Sequence, residues 1–552
     1  MPPLDEDVDV HDVIVVGSGF GGSIMGMRLA EAGRDVVVLE RGRRWDAIEY
    51  PRTIHQVANA MWEEDEHYGF LDYRVFNRLD VIQGCGVGGG SLHYFNVHLR
   101  AAPRIFERPE WPAAIRRDVL DPYYDRAEAM CEAQPLKPPA GRSMPVRTTA
   151  FMAAATAVGR SPELVPLALH TGDMREHPHS GLLQGPCDFS SNCLLGCQPR
   201  AKNSLDMTYI PAGERLGMKV QPLHEVDHVA PRDDGGWTLR VKVLDAETPG
   251  QHHFITMHAR TVVLAAGALG STEILLRSRD EAGVLNGLSP ALGTRFSGNG
   301  DMLFAAAGQT PDAIDPAVGP SISAGVDMSR EGSPHTITVQ DLGLPAQFFW
   351  LLEGLAPGKR RVGTLLSAVG RYIGDALDLE VGMGQVRFEG DALFQGGRTT
   401  NLLPYLGMGT DAADGTMHLD PEGQLDVDWD PDASKPMFDE MEQGFEELSE
   451  ALGGRFVKSL LWRWPARRLL TAHPLGGCPM GDDPLTSVVN DKGEVHGHPG
   501  LYVIDSAMIP GPLAVNPSAT ISALAERAAW WMIYGAELKV GDLPSAAPQV
   551  GP

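Results

Sequence analysis

The sequence is short of positive charge. Lys and Arg number 46 against 72 Asp and Glu, a net charge of −26 over 552 residues, and a surface of that sign repels phosphate backbones. Nucleic-acid binding is therefore not expected. Cysteine is scarce as well, with six residues in the whole chain. The opening stretch, MPPLDEDVDVHD, carries Asp5, Glu6, Asp7, Asp9 and Asp12 and has neither a basic nor an apolar leader region, so no secretion signal is read and a cytoplasmic location is expected. In that setting the cysteines should be thiols unless they hold a metal. A long hydrophobic run is missing too. The longest uncharged stretch lies between Asp505 and Glu526, where Pro510, Pro512, Pro517 and Asn516 spoil it as a lipid-spanning helix. What remains is a large globular chain, 43% hydrophobic, long enough for two interleaved domains.

Residues 12 to 40 read as one unit: the apolar run Val13 to Val16, a glycine turn, a helix ended by Gly33, and a second strand from Val36. The turn is Gly17-Ser18-Gly19-Phe20-Gly21-Gly22, a GxGxxG between strand and helix. Gly17 would allow the tight turn, Gly19 the close approach of backbone to a pyrophosphate, and Gly22 the packing of helix on strand. The free N–H groups of the helix start suit the anion. Glu40 closes the second strand 18 residues after Gly22, the place of the acid that binds ribose hydroxyls. This motif alone fits NAD and FAD equally.

Further on, Gly84-Cys85-Gly86-Val87-Gly88-Gly89-Gly90-Ser91 is richer in glycine than a turn needs, and suits backbone lying flat against a bulky ligand. With it stand VVLAAGALGSTEILLRS at 262–278, TAHPLGGCPMG at 471–481 and LYVIDSAMIPGPLAVNPSATISALAER at 501–527. In these segments, all in order from about residue 12 to 530, the chain resembles the glucose-methanol-choline (GMC) flavin oxidoreductases, nearest their bacterial cholesterol oxidase-like branch. The resemblance implies an α/β protein: a Rossmann-type FAD-binding domain with an inserted α+β substrate domain built on an antiparallel sheet. The expected boundaries are 11–46, 80–130, 200–300 and 466–535 for the FAD-binding domain, 47–79, 131–199 and 301–465 for the substrate-binding cap, and flexible ends at 1–10 and 540–552.

The resemblance also implies the chemistry. Oxidising an alcohol needs hydride transfer to flavin and a base for the hydroxyl proton. His473 matches the family's catalytic position, and Asn516, followed by Pro517, matches the second. Gly17, Gly19, Phe20, Gly22, Glu40, Gly84, Gly86, Gly88, Gly89, Gly90, Ser91, Ala266, Gly267, Asp505 and Pro517 are the expected cofactor contacts. Some relatives attach FAD covalently through a His near the glycine-rich segment. His93 sits past the serine, so FAD is expected to bind without a covalent bond. The expected substrate is a small apolar alcohol, plausibly a sterol-like 3-hydroxyl, with oxygen or another acceptor taking the electrons. Relatives that also shift a double bond use a pocket glutamate, and Asp341 and Glu353 fall in the corresponding stretch without a firm motif.

Two features stand outside this frame. Cys187, Cys193 and Cys197, with His177 or His179, have donor chemistry for zinc or an iron–sulfur cluster, but their spacing fits no standard pattern and buried thiols are expected. The stretch 345–377 joins Phe348-Phe349-Trp350 to a basic segment, which suits a lid, transient contact with a membrane surface, or plain core. Two rival activities remain at this stage: a dehydrogenase of other alcohols feeding an electron carrier, and a lyase in which FAD is redox-silent.

Overall fold

Val13, Ile14, Val15 and Val16 are β-branched and buried on both sides, which places the first strand, Val10–Val16, in the middle of a covered sheet. In the computed structural model, which describes residues 10–308, 314–346, 402–458 and 468–538, this strand runs parallel to Val36–Glu40 on one side and to His252–Leu264 on the other. Lys219–Pro222 extends the sheet beyond Val36–Glu40, and Leu501–Val503 adds a parallel strand to the end of His252–Leu264. The parallel core is thus gathered from segments up to hundreds of residues apart. The first helix, Phe20–Glu31, follows the glycine turn, and Gly33, at φ +79°, closes it by donating to the Ala30 carbonyl.

A second sheet is antiparallel, in the order Gly454–Val457, Met302–Gly308, Leu402–Gly409, Ile337–Asp341, Ala324–Asp327 and Glu163–Leu164. The alternating HTITVQ stretch supplies one of its strands. QLDVDW is also a strand, Leu425–Asp428, but it pairs with Thr416–Leu419 in a separate ribbon. The helix Lys435–Ala451 lays Met437, Met441, Phe445 and Leu448 on the antiparallel sheet. Ile14, Val263, Phe304, Val339 and Phe445 belong to one continuous hydrophobic core, so both sheets share their packing. Of the stretch 345–377, only Pro345 and Ala346 are described. The remainder, with Glu353 and the suggested lid or membrane contact, lies outside the described residues. Among the described residues, no helix is long and apolar enough to cross a membrane.

The last helix, Ser518–Tyr534, is buried along most of its length between the first helix and Arg117–Cys131. Its Glu526 is 1% exposed. The carboxylate accepts from Arg28 Nη2 (2.8 Å) and Nε (2.9 Å), from Arg126 Nε (2.9 Å) and from Tyr209 OH (2.8 Å). Burial drives its pKa up, but Arg28 and Arg126 outweigh that and hold it below the usual range. Glu526→Ala leaves two guanidinium groups facing a void. It is expected to cost about 3–5 kcal/mol, read as a lower urea midpoint with unchanged m-value; a shift within error of zero would remove this clamp from the account.

Candidate active site

The turn after the first strand is shaped by close backbone contacts. Gly17 stands at φ +94°, and a Cβ there would lie 2.3 Å from the Ala265 carbonyl oxygen. Gly21 presses on the neighbouring loop, where a Cβ would lie 1.6 Å from the Ile504 oxygen. Gly22 packs helix on strand as expected, its α-carbon facing Gly17 and Val15. Gly19 is the opposite case: a Cβ there would meet nothing within 4 Å. That open side looks into a cavity of about 680 Å³, within the roughly 300–1,000 Å³ of small-molecule sites.

Gly17, Gly19, Phe20 and Glu40 line this cavity, as do Gly84, Gly89, Gly90, Ala266, Gly267, Asp505 and Pro517. Gly22, Gly86, Gly88 and Ser91 stand behind the wall. Ser18 ties the two glycine loops together: Gly88 N donates to its Oγ (3.0 Å), and that hydroxyl donates to Glu40 Oε2 (2.6 Å). Ser91 Oγ donates to the Gly88 carbonyl (2.7 Å) and accepts from Leu205 N (3.0 Å). Glu40 also accepts from Ser18 N and Gly42 N, and burial raises its pKa above the ordinary value. Asp505 accepts from Gly267 N (2.8 Å), Ser271 Oγ (2.5 Å) and Ala507 N (2.7 Å), and burial lifts it to about 6. The open face at Gly19 over a helix start, a carboxylate at the end of the second strand and a second glycine loop beside them suit a dinucleotide.

Arg41, Arg74, Glu225, Glu273 and Arg277 form one charged network in the cavity wall, with Arg74 3.1 Å from Glu273 and Arg277 2.6 Å from Glu273. Elsewhere the wall holds His473 and Asn516. His473 Nδ1 lies 2.8 Å from Asp301 Oδ1, while Asp301 Oδ2 accepts from Thr471 Oγ1 (2.8 Å) and Ala472 N (3.1 Å). Asn516 Oδ1 accepts from Gln340 Nε2 (2.8 Å). Neither Asp301 nor Gln340 is singled out by the sequence. His93, 5% exposed, also lines the cavity and has no hydrogen-bond partner at Nε2. Burial, then Lys202 and His473, push its pKa down to about 3, so the ring is neutral. Lys202 is itself buried, donating to the carbonyls of Leu92, Tyr94 and Cys193.

Two features left open by the sequence are defined by their contacts. Asp341 is no pocket acid. It is fully buried, with Oδ2 taken by Arg147 Nε (3.1 Å) and Thr148 Oγ1 (2.8 Å) and Oδ1 by the N–H groups of Ser323 and Ala324 (both 2.8 Å). Strand alternation turns Gln340 to the cavity side and Asp341 away from it. Cys187, Cys193 and Cys197 are free and only part buried. Each sulfur accepts from a nearby N–H of the protein, Cys187 from Phe189 N, Cys193 from Asn96 Nδ2 and Cys197 from Lys202 N, each at 3.4 Å. Burial raises Cys197 to about 11 and Cys187 well above its ordinary value, which keeps these two as thiols. His177 Nδ1 caps its own turn through His179 N and Ser180 N. Among the described residues, no three His, Cys, Asp or Glu side chains are grouped to hold a metal ion.

Models described as GMC oxidoreductase match residues 11–284 and 411–525. The chain is 28% identical to a cholesterol oxidase of Acinetobacter baumannii, covering 94% of this chain and 93% of that protein. It is equally 28% identical to a cholesterol oxidase of Mycobacterium tuberculosis, covering 94% and 90%. A paromamine 6'-oxidase of Streptomyces fradiae is 25% identical over 95% and 91%. Among solved structures, a pyridoxine 4-oxidase from Mesorbium loti superposes with a TM-score of 0.60 at 16% identity, covering 94% of this chain and 98% of that one, which is a likeness of fold.

Asp505 gives the site a measurable pH signature. Its folded pKa of about 6 lies above the ordinary 3.8, so its contribution to stability is complete below 3.8 and is lost as pH rises through about 6. Asp505→Asn is expected to flatten urea-unfolding stability across that window, leaving a residual slope from Asp411, which is also lifted to about 6. An identical slope in the variant would show that Asp505 is not held protonated.

Proposed function

The chain belongs to the GMC oxidoreductase family, an FAD-dependent alcohol oxidoreductase by that membership, and from this premise we propose that it oxidises an apolar, sterol-like secondary alcohol to the ketone, with His473 as base. The observation that carries the substrate class is the aliphatic wall beside Asn516. Leu406 is the cross-strand partner of both Leu303 and Gln340, so the sheet face that reaches Asn516 also presents leucines. Leu342, Leu344, Leu470 and Phe95 complete the lining. The charged side chains Arg41, Arg74, Glu225, Glu273 and Arg277 are paired with one another, and Asp301 is taken up by His473. A wall of this kind favours hydrocarbon over polyols or amines.

When bound, FAD supplies the two-electron acceptor for the hydride leaving the carbinol carbon. Gly17, Gly19 and the start of the first helix are suited to hold its pyrophosphate, and Glu40 its ribose hydroxyls. His473 Nε2 takes the hydroxyl proton, the Asn516 amide N–H groups donate to the same oxygen, and the leucine wall keeps water away. Oxygen is the proposed final acceptor, a reading supported by the oxidase names of the relatives.

Steady-state turnover of a 3β-hydroxysteroid against an aminocyclitol alcohol tests the substrate class. The steroid is expected to have the larger kcat/KM by at least about 10²-fold, and equal or reversed values would sink the assignment. His473→Ala is expected to lower kcat by about 10²–10⁴-fold; near-wild-type turnover would remove it as the base.

For the flavin, the reading is binding without a covalent bond. One observation favours a second reading, attachment through His93: its Nε2 is buried in the cavity wall, neutral and unpartnered. Acid precipitation of the purified protein separates the two. Flavin released to the supernatant supports non-covalent binding, and flavin kept in the pellet but released in His93→Ala supports the link.

A further inference from the structure

We propose that Asp301 and Gln340 are positioning residues that fix which atom of each catalytic side chain gives and which accepts a hydrogen bond; the role rests on the alcohol-oxidation reading above. The argument is a count of donors. Asp301 Oδ2 accepts from the Ala472 N–H and faces the Thr471 hydroxyl at 2.8 Å, whose single proton also reaches the Gly298 carbonyl at 3.0 Å, while Oδ1 faces His473 Nδ1. A carboxylate accepts and does not donate, so the proton of a neutral His473 sits on Nδ1. Nε2 is left with a lone pair, the form a base for an alcohol requires. Asp301 is 4% exposed, and competition from water for this contact is correspondingly small.

Gln340 does the complementary thing for Asn516. Its Nε2 donates to Asn516 Oδ1 at 2.8 Å, which draws the amide oxygen toward the sheet and leaves the Asn516 N–H groups for the substrate oxygen. Gln340 is fully buried and its own Oε1 has no partner, so the bond to Asn516 is the polar contact that holds this side chain. The result is one acceptor and one donor on the cavity wall, matched to an O–H that must lose a proton while its oxygen is held. Asp301 immediately precedes the strand Met302–Gly308, and Gln340 lies on Ile337–Asp341. Both contacts therefore come from the antiparallel sheet, whereas His473 and Asn516 come from the last part of the chain. One sheet then supplies the leucine wall and the orientation of the chemistry.

The test uses holoenzyme labelled with ¹⁵N-histidine, with His473 assigned by the signal missing from His473→Gln. Wild type is expected to show the Nδ1–H tautomer. In Asp301→Asn the Thr471 and Ala472 donors keep the amide oxygen, so its NH₂ faces Nδ1 and the proton moves to Nε2. That variant is expected to show the Nε2–H tautomer and a kcat lower by about 10²–10⁴-fold, with KM within a few-fold and flavin content unchanged. Gln340→Met is expected to keep the Nδ1–H tautomer while lowering kcat about tenfold. An Nε2–H tautomer in the wild type, or Asp301→Asn with wild-type tautomer and kcat, overturns the proposal. Should Asp301→Asn lose its flavin or its fold, the wild-type tautomer decides alone. The two readings fail separately: an Nδ1–H tautomer in an enzyme that no apolar alcohol reduces upholds the positioning and sinks the substrate assignment, and alcohol oxidation with an Nε2–H tautomer does the reverse.

Discussion

At the turn after the first strand, pieces of main chain approach so closely that no side chain fits between them. Gly17 meets the Ala265 carbonyl, which follows His252–Leu264, and Gly21 meets the Ile504 carbonyl, which follows Leu501–Val503. These contacts bring residues 17–21, 265–268 and 504–506 to one edge of the cavity, and Ser18 adds the loop at 84–91 through its bridge to Glu40. A methyl group at Gly17 or Gly21 would push apart strands whose order in the sheet depends on these contacts.

The cavity shows a division of labour. The parallel sheet offers backbone N–H groups and carboxylates at its strand ends, the chemistry that holds a dinucleotide. The antiparallel sheet offers leucines and two buried polar contacts. His473 and Asn516 stand where the two meet, each anchored from the antiparallel side. Asp301 and Gln340 are spent on orientation, and Asp341, one residue along, is spent on the buried Arg147. Neighbouring positions on one strand thus serve opposite faces, one turned to Asn516 and one to Arg147.

That alternation also explains what the sequence reveals and what it hides. The glycine turn and Glu40 stand out by the spacing of a local string, whereas Asp505, His473 and Asn516 stand out only through the family resemblance of the segments that hold them. The strands that begin at Val13 and Val36 are legible as runs of aliphatic residues. Asp301 and Gln340 are not, because their significance is a contact with residues 172 and 176 positions away, and nothing nearby announces it. Asp341 misleads for the same reason: a strand read without its partner sheets does not disclose which face is the pocket, although its period of two does put Gln340 and Asp341 on opposite faces. The cysteine trio misleads differently, since its donor types suit a metal while the fold points each sulfur at an N–H group. Gly21 passes unremarked inside a motif whose other glycines have known duties, yet its approach to Ile504 is the tightest at the turn.

The claim on which the account turns is that this cavity brings a hydride acceptor and an apolar alcohol together. The most direct measurement is the anaerobic absorbance spectrum of the purified holoenzyme before and after addition of a 3β-hydroxysteroid. Flavin bands that bleach on addition, and return when oxygen is admitted, are the predicted result. Flavin that stays oxidised with the steroid and with other apolar secondary alcohols would contradict it.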